Sequence, residues 1–180
     1  MTDHQLVGRN WRPTNNGDIG FLYHLAASIE PRWWQISKDS LNPLGISGKI
    51  GSFAAGVTIH HGEHPCGFGA LRGQQGSDVA FIEFYSLHEE QAIEVVTSAV
   101  PEIVTAAFVV SPVRKLLYER FEDDPDLIAK LDDVSELEYR LPEFAKIDGK
   151  YVDRLSFAIE KELFLSRYAH LTEGLTDTDA

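Results

Sequence analysis

A single cysteine, Cys66, leaves the chain unable to close any internal disulfide, and that scarcity fits a reducing compartment. Basic residues are also few: 16 Lys and Arg stand against 28 Asp and Glu, a formal net charge of −12. Affinity for nucleic-acid phosphates needs clustered Lys and Arg, so the balance argues against a nucleic-acid partner. The main basic-aromatic exception, Trp11, Arg12, Arg32, Trp33 and Trp34, is small. No apolar run approaches the ~18 residues of a membrane span, and Met1 to Asn10 lack the basic-then-apolar order of a secretion leader. A cytosolic protein without a membrane partner is expected. Internal repeats and low-complexity stretches are absent too.

What remains is the composition of one ordinary globular domain. At 180 residues, 43% hydrophobic and 24% charged, the chain can bury a single core. The expected division is one domain over residues 1–171 and a disordered acidic tail over 172–180.

Apolar and polar residues change period along the chain. Val7 to Pro13 reads as a short strand. Asn15 and Asn16 offer caps for a helix from Asp18 to Ser28, whose Phe21, Leu22, Leu25 and Ala26 follow helical spacing. Between Glu30 and Gly51, Pro31, Pro43, Gly45 and Gly48 break the pattern around one short helix. Phe53 to His60, Gly67 to Arg72 and Val79 to Tyr85 are β-branched and aromatic runs joined by turn-like segments, an antiparallel meander. Gln91 to Val110 turns helical, and Pro101 either kinks one helix or opens a second. Val113 to Phe121 returns to strand and Pro125 to Leu131 reads as a short helix. Leu137 to Phe144 and Tyr151 to Glu160 form a hairpin turned at Asp148 and Gly149. The class is α/β with a mixed, mostly antiparallel sheet flanked by helices.

Three stretches resemble the GNAT acyltransferases, and more narrowly the ribosomal-protein N-terminal acetyltransferases of the RimJ/RimL type. The first is Trp11, Arg12, Pro13 with Asp18, Phe21, Leu22 and Tyr23. The second is the P-x-G-x-x-x-L pattern from Pro65 to Leu71. The third joins Phe108, Val113 to Tyr118, Leu141 to Phe144 and Asp148 to Asp153. The resemblance implies an N-acyltransferase that passes an acetyl or other acyl group from acyl-CoA to an amine of a small molecule or a peptide N-terminus. It also implies acetyl-CoA or another acyl-CoA as co-substrate, no metal, and a possible homodimer paired through edge strands. In the family a glycine-containing loop cradles the CoA pyrophosphate at a helix N-terminus. The matching stretch here, Leu87 to Val95, has no glycine and carries Glu89, Glu90 and Glu94. A GNAT-like binding module without CoA, or a transferase fed by a carrier-bound acyl group, therefore stands beside the first reading.

The resemblance also places candidate site residues. Glu83 is the candidate base: among Phe81, Ile82 and Phe84, desolvation raises a carboxyl's pKa and suits it to accept a proton. The alternative is an outward polar residue of an alternating strand. Tyr85, Ser86, Leu87, Gln91 and Ala92 are the candidate donor-binding residues, and Tyr23, His24, Trp33 and Trp34 the candidate acceptor contacts. The family's acid is a tyrosine on the helix after the Val113–Phe121 strand, where Pro125 to Leu131 has none. Tyr118 and Tyr139 are read as packing residues. His60, His61, His64 and His88 do not read as a metal site, because adjacent strand residues point to opposite faces and His64 is expected in a turn. No base is recognisable near Cys66, so it is not read as a nucleophile.

Overall fold

The computed structural model describes residues 6–29, 41–73, 76–147, 149–174 and 176–177. Asn15 starts the first helix: its side chain accepts the Gly17 N–H at 2.8 Å, while the Asp18 carboxylate accepts the Asn15 N–H at 2.9 Å. This reciprocal cap closes a 3-10 turn, Asn16–Asp18, and leads into α1 (Ile19–Ser28). Asp18 is buried and gripped by both terminal nitrogens of Arg12, at 2.8 and 2.6 Å. Burial alone pushes its carboxyl upward. Bonds from Arg12, the Asn15 N–H and Thr58 outweigh that and hold it below the usual carboxylate range. The short second helix is α2 (Pro43–Ile50), with Pro43 in its first turn and the Asn42 side chain accepting from Gly45 N–H at 3.0 Å.

A seven-stranded sheet organises the rest. Its strands are β2 (Trp11–Pro13), β3 (Ala55–His61), β4 (His64–Gly73), β5 (Val79–Ser86), β6 (Lys115–Phe121), β7 (Ser135–Ile147) and β8 (Lys150–Glu160), in the spatial order β2-β3-β4-β5-β6-β8-β7. Every neighbour pair is antiparallel except β5 and β6, which run parallel because α3 (Glu90–Val110) crosses between them. The expected hairpin is present, but β8 inserts between β6 and β7. Separately, β1 (Leu6–Val7) pairs with β9 (Thr176–Asp177), inside the segment expected to be disordered.

The core is split by the sheet. On one face α3 buries Val96, Val100, Ile103, Val104 and Phe108, joined by Ile82, Leu116 and Ile159. Helix α3 is long and apolar enough to cross a membrane by length and composition; in the structure its apolar side lies against the sheet. On the other face α1 and α2 enclose Leu22, Leu25, Ile46, Phe68 and Tyr85.

Several boundaries correct the sequence reading. His64 opens β4 opposite His61, because Gly62 at φ 61° completes the turn earlier. Of the two readings of Pro101, the structure takes the single helix, with Pro101 inside α3. Pro125 to Leu131 is not a helix: the Asp126 side chain accepts the Ile128 N–H at 3.2 Å, competing with helical bonding, and only a 3-10 turn, Ala129–Leu131, follows. Helix α4 (Lys161–Tyr168) was not expected from its pattern, since Phe164, packed on Phe108 at 5.6 Å between ring centres, is its one buried residue.

Candidate active site

Strands β5 and β6 pair with each other only from Val79 opposite Lys115 to Ile82 opposite Tyr118. Beyond that rung each strand stays with its outer neighbour: β5 with β4 as far as Ser86 and Gly67, β6 with β8 as far as Phe121 and Arg154. The sheet therefore parts in the middle, opening a cleft of about 410 Å³ with Phe81, Phe84, Phe121, Leu127 and Phe144 among its walls. Phe144 owes its place to an irregularity in β7. Between Leu141 and Ala145 the register with β8 shifts, and Glu143 takes a φ of 49°, a left-handed conformation rare outside glycine. The Asp153 carboxylate accepts the Glu143 N–H at 2.9 Å and fixes the bulge. Phe144 then lies 6.1 Å from Phe121 and 5.0 Å from the Arg154 guanidinium.

Glu83 and Glu119 are the first residues past the last shared rung, both on the face opposite α3. Their surroundings repeat each other. Glu83 takes Arg72 Nε on Oε1 at 2.8 Å and the Tyr85 hydroxyl on Oε2 at 2.7 Å. Glu119 takes the Tyr139 hydroxyl on Oε1 and Arg154 Nη2 on Oε2. The carboxylate read from the sequence as lying among Phe81, Ile82 and Phe84 thus has both oxygens engaged, one by an arginine and one by a tyrosine. Burial, then the neighbouring Glu83, pushes the Tyr85 phenol well above its ordinary value.

On the α3 side of the cleft Tyr118 is 3% exposed, its ring 6.0 Å from Phe84. Burial raises its phenol above the ordinary tyrosine value. Tyr118 is a buried core residue, as the sequence reading expected, that also lines the cleft, and its hydroxyl makes no hydrogen bond among the described residues. Helix α3 approaches β4 closely where Gly67 offers no side chain. A Cβ there would meet Val96 Cγ2 at 2.3 Å and the Tyr85 carbonyl oxygen at 2.9 Å. The helix begins at Glu89 without a side-chain cap, and exposed Glu89 and Glu90 sit at that start.

The cleft brings together Glu83, Tyr85, Ser86 and Leu87. The Leu87 N–H is already donated to the Cys66 carbonyl at 3.0 Å, and the Ser86 hydroxyl to the Leu87 carbonyl at 2.8 Å. Gln91 is exposed and Ala92 faces the core; neither lines the cleft. Tyr23 and His24 lie on the exposed side of α1 and do not line it either. Trp33 and Trp34 fall outside the described residues. Sequence reasoning missed Arg72, Arg154 and Phe144, because nothing local marks a residue that reaches its role across three strands. Burial pushes the Cys66 thiol up to about 11, consistent with an inert core residue.

No protein-family model matches the chain, and no curated protein sequence matches it. Solved structures do. A variant of the spermidine N-acetyltransferase SpeG from Vibrio cholerae superposes with a TM-score of 0.71 at 18% identity, covering 87% of this chain and 98% of its own. The spermidine/spermine N-acetyltransferase SpeG from Vibrio cholerae with manganese ions gives 0.70 at 17% identity, covering 91% and 96%. A protein provisionally assigned as a phosphinothricin N-acetyltransferase gives 0.65 at 14%, covering 83% and 96%. The likeness is one of fold: a single-domain α/β architecture matching the GNAT fold of these structures.

Proposed function

We propose that the protein is an N-acyltransferase that takes its acyl group from a thioester on a pantetheine arm, acyl-CoA first of all, and gives it to an amine. The parting of β5 and β6 beyond Ile82 and Tyr118 carries this reading. Two strands that stop pairing while keeping their outer neighbours leave a slot in which an amide-bearing arm can lie as a further strand. In the reaction the amine nitrogen attacks the thioester carbonyl, the C–N bond forms, the C–S bond breaks, and the ammonium proton is lost. In this reading Glu83, with Tyr85 bonded to it, takes that proton and Tyr118 hands one to the departing thiolate; both line the cleft. The narrower likeness to ribosomal-protein N-terminal acetyltransferases belongs to the same reading, as does a cytosolic setting.

The test is thermal unfolding with and without millimolar acetyl-CoA, followed by detection of released thiol with an amine panel. A ligand at ~100 times its dissociation constant stabilises by ~2.7 kcal/mol, a rise of roughly 5–10 °C for a chain of this size. Stabilisation by acetyl-CoA and not by adenosine supports the reading. One observation favours a second reading, a donor carried on an acyl carrier protein: the α3 N-terminus presents Glu89 and Glu90 where a pyrophosphate would need bare N–H groups and a glycine. Transfer from acyl-pantetheine on a carrier, with none from acyl-CoA, would select it.

A further inference from the structure

Across the sheet, on the face opposite α3, four charged residues of the cleft come in mirror order, Arg72 on β4, Glu83 on β5, the gap, Glu119 on β6 and Arg154 on β8, while Arg120 and Asp124 line it elsewhere. Each arginine is held twice. The Arg72 guanidinium lies 4.7 Å from the Phe81 ring centre and donates Nε to Glu83; the Arg154 guanidinium lies over Phe144 and donates Nη2 to Glu119. Stacking on a ring and pinning by a carboxylate fix a guanidinium plane at low entropic cost to any ligand.

The hydrogen-bond inventory is lopsided. All four carboxylate oxygens already accept a bond, one from an arginine and one from a tyrosine on each side. Both terminal nitrogens of Arg72, and Nε and Nη1 of Arg154, make no hydrogen bond among the described residues. Each oxygen of the two glutamates is already engaged once, while the two arginines have several donors to spare. A polycation would find its carboxylates neutralised and would bring positive charge beside two guanidiniums. An anionic group would meet two preset forks, the geometry that suits a carboxylate or phosphate.

We propose that the acceptor is an amine that also bears an anionic group, held by the free edges of Arg72 and Arg154, and not a polycationic amine. This rests on the N-acyltransferase reading and names the acceptor class for it. An amino acid places its carboxylate on the arginines and presents its amine toward Glu83 and the thioester; an amine bearing a phosphate would use the same donors.

The experiment compares matched acceptors with the active donor: leucine against leucinamide, phosphoethanolamine against ethanolamine, and spermidine. Loss of a charge-assisted pair corresponds to roughly 10- to 100-fold, so the anion-bearing member of a pair should lead in kcat/KM by about that factor. Leucine and phosphoethanolamine each leading identifies the site as a general anion receptor, and one alone identifies its anion. In Arg72→Gln the ratio within the winning pair should fall toward one. An equal loss on both members would show a merely structural arginine and overturn the proposal, as would spermidine outrunning every anionic acceptor. Binding separates the two levels of the argument. If no donor is turned over, but leucine or phosphoethanolamine raises the melting point of the wild type and not of Arg72→Gln, the anion site stands while the transferase reading fails. If neither ligand stabilises the wild type and no acceptor pair is discriminated, the anion site is refuted.

Discussion

Replacing Gly67 by alanine tests whether the cleft depends on how closely α3 sits on the sheet. The added Cβ would lie 2.3 Å from Val96 Cγ2 and 2.9 Å from the carbonyl oxygen of Tyr85, both inside any normal contact. The second neighbour is main chain in β5 and cannot rotate away. Either α3 lifts or β5 shifts, and overpacking of this kind costs about 1–3 kcal/mol. With about 2 kcal/mol taken as the centre, a chain of this length should lose about 4–8 °C of melting temperature. The clash is shared, so removing one party should relieve part of it. Val96→Ala alone costs about 1.5 kcal/mol of buried methyls. In the double variant the losses should fall short of additivity by about 1 kcal/mol. Melting curves of the wild type, both single variants and the double complete the cycle. Unchanged melting in Gly67→Ala, or strict additivity in the cycle, would refute the close approach. Because the displaced carbonyl belongs to Tyr85, the Gly67→Ala protein should also bind acetyl-CoA more weakly than its loss of stability explains.

Three further outcomes are expected. Tyr118→Phe should keep its fold yet lose about 10²- to 10⁴-fold in kcat with an alkyl thioester, and far less with an aryl thioester whose thiolate needs no proton; equal losses on both donors would remove Tyr118 from the reaction. Asp18→Asn should cost about 2 kcal/mol near neutral pH through its bonds with Arg12. Because folding lowers the Asp18 pKa, the wild type holds that advantage above about pH 4 and loses it as pH falls further, so the melting gap should stay level down to about pH 5 and narrow below about pH 4; a gap constant through that acid range would contradict it. Glu89→Gln with Glu90→Gln should melt slightly lower, losing acidic charge at the α3 N-terminus, yet bind acetyl-CoA several-fold tighter; unaltered binding would mean that no phosphate lies there.

Much of the architecture was legible in the chain because its causes are local. Asn15 with Asp18 announces a helix start through hydrogen bonds made within a few residues, whereas the start of α2 at Asn42 and Pro43 was not placed by the pattern. The runs from Phe53 to Tyr85 declare a meander by composition and turn spacing, and the strand before and after α3 declares the crossover. Glu83 could be singled out because it is a carboxylate inside an aromatic strand. Local signals also misled: Pro125 to Leu131 has helical spacing, but the Asp126 side chain takes the Ile128 N–H first.

The site itself belonged to tertiary structure. Whether β8 or β7 lies beside β6 leaves no trace in either strand, since a hairpin reads the same from both sides, yet that choice puts Arg154 next to Glu119. The rung at which β5 and β6 stop pairing is set by what their outer neighbours hold, so the cleft and its unexpected members, Arg72, Tyr118 and Phe144, could not be read from spacing. The sequence by itself determined the class of fold, the order of elements and the acidic start of α3. Only the folded sheet decided that two arginines, two glutamates and two tyrosines from five strands meet around one gap, because strand order and pairing, which no local period encodes, bring together residues as far apart in the chain as Arg72 and Arg154.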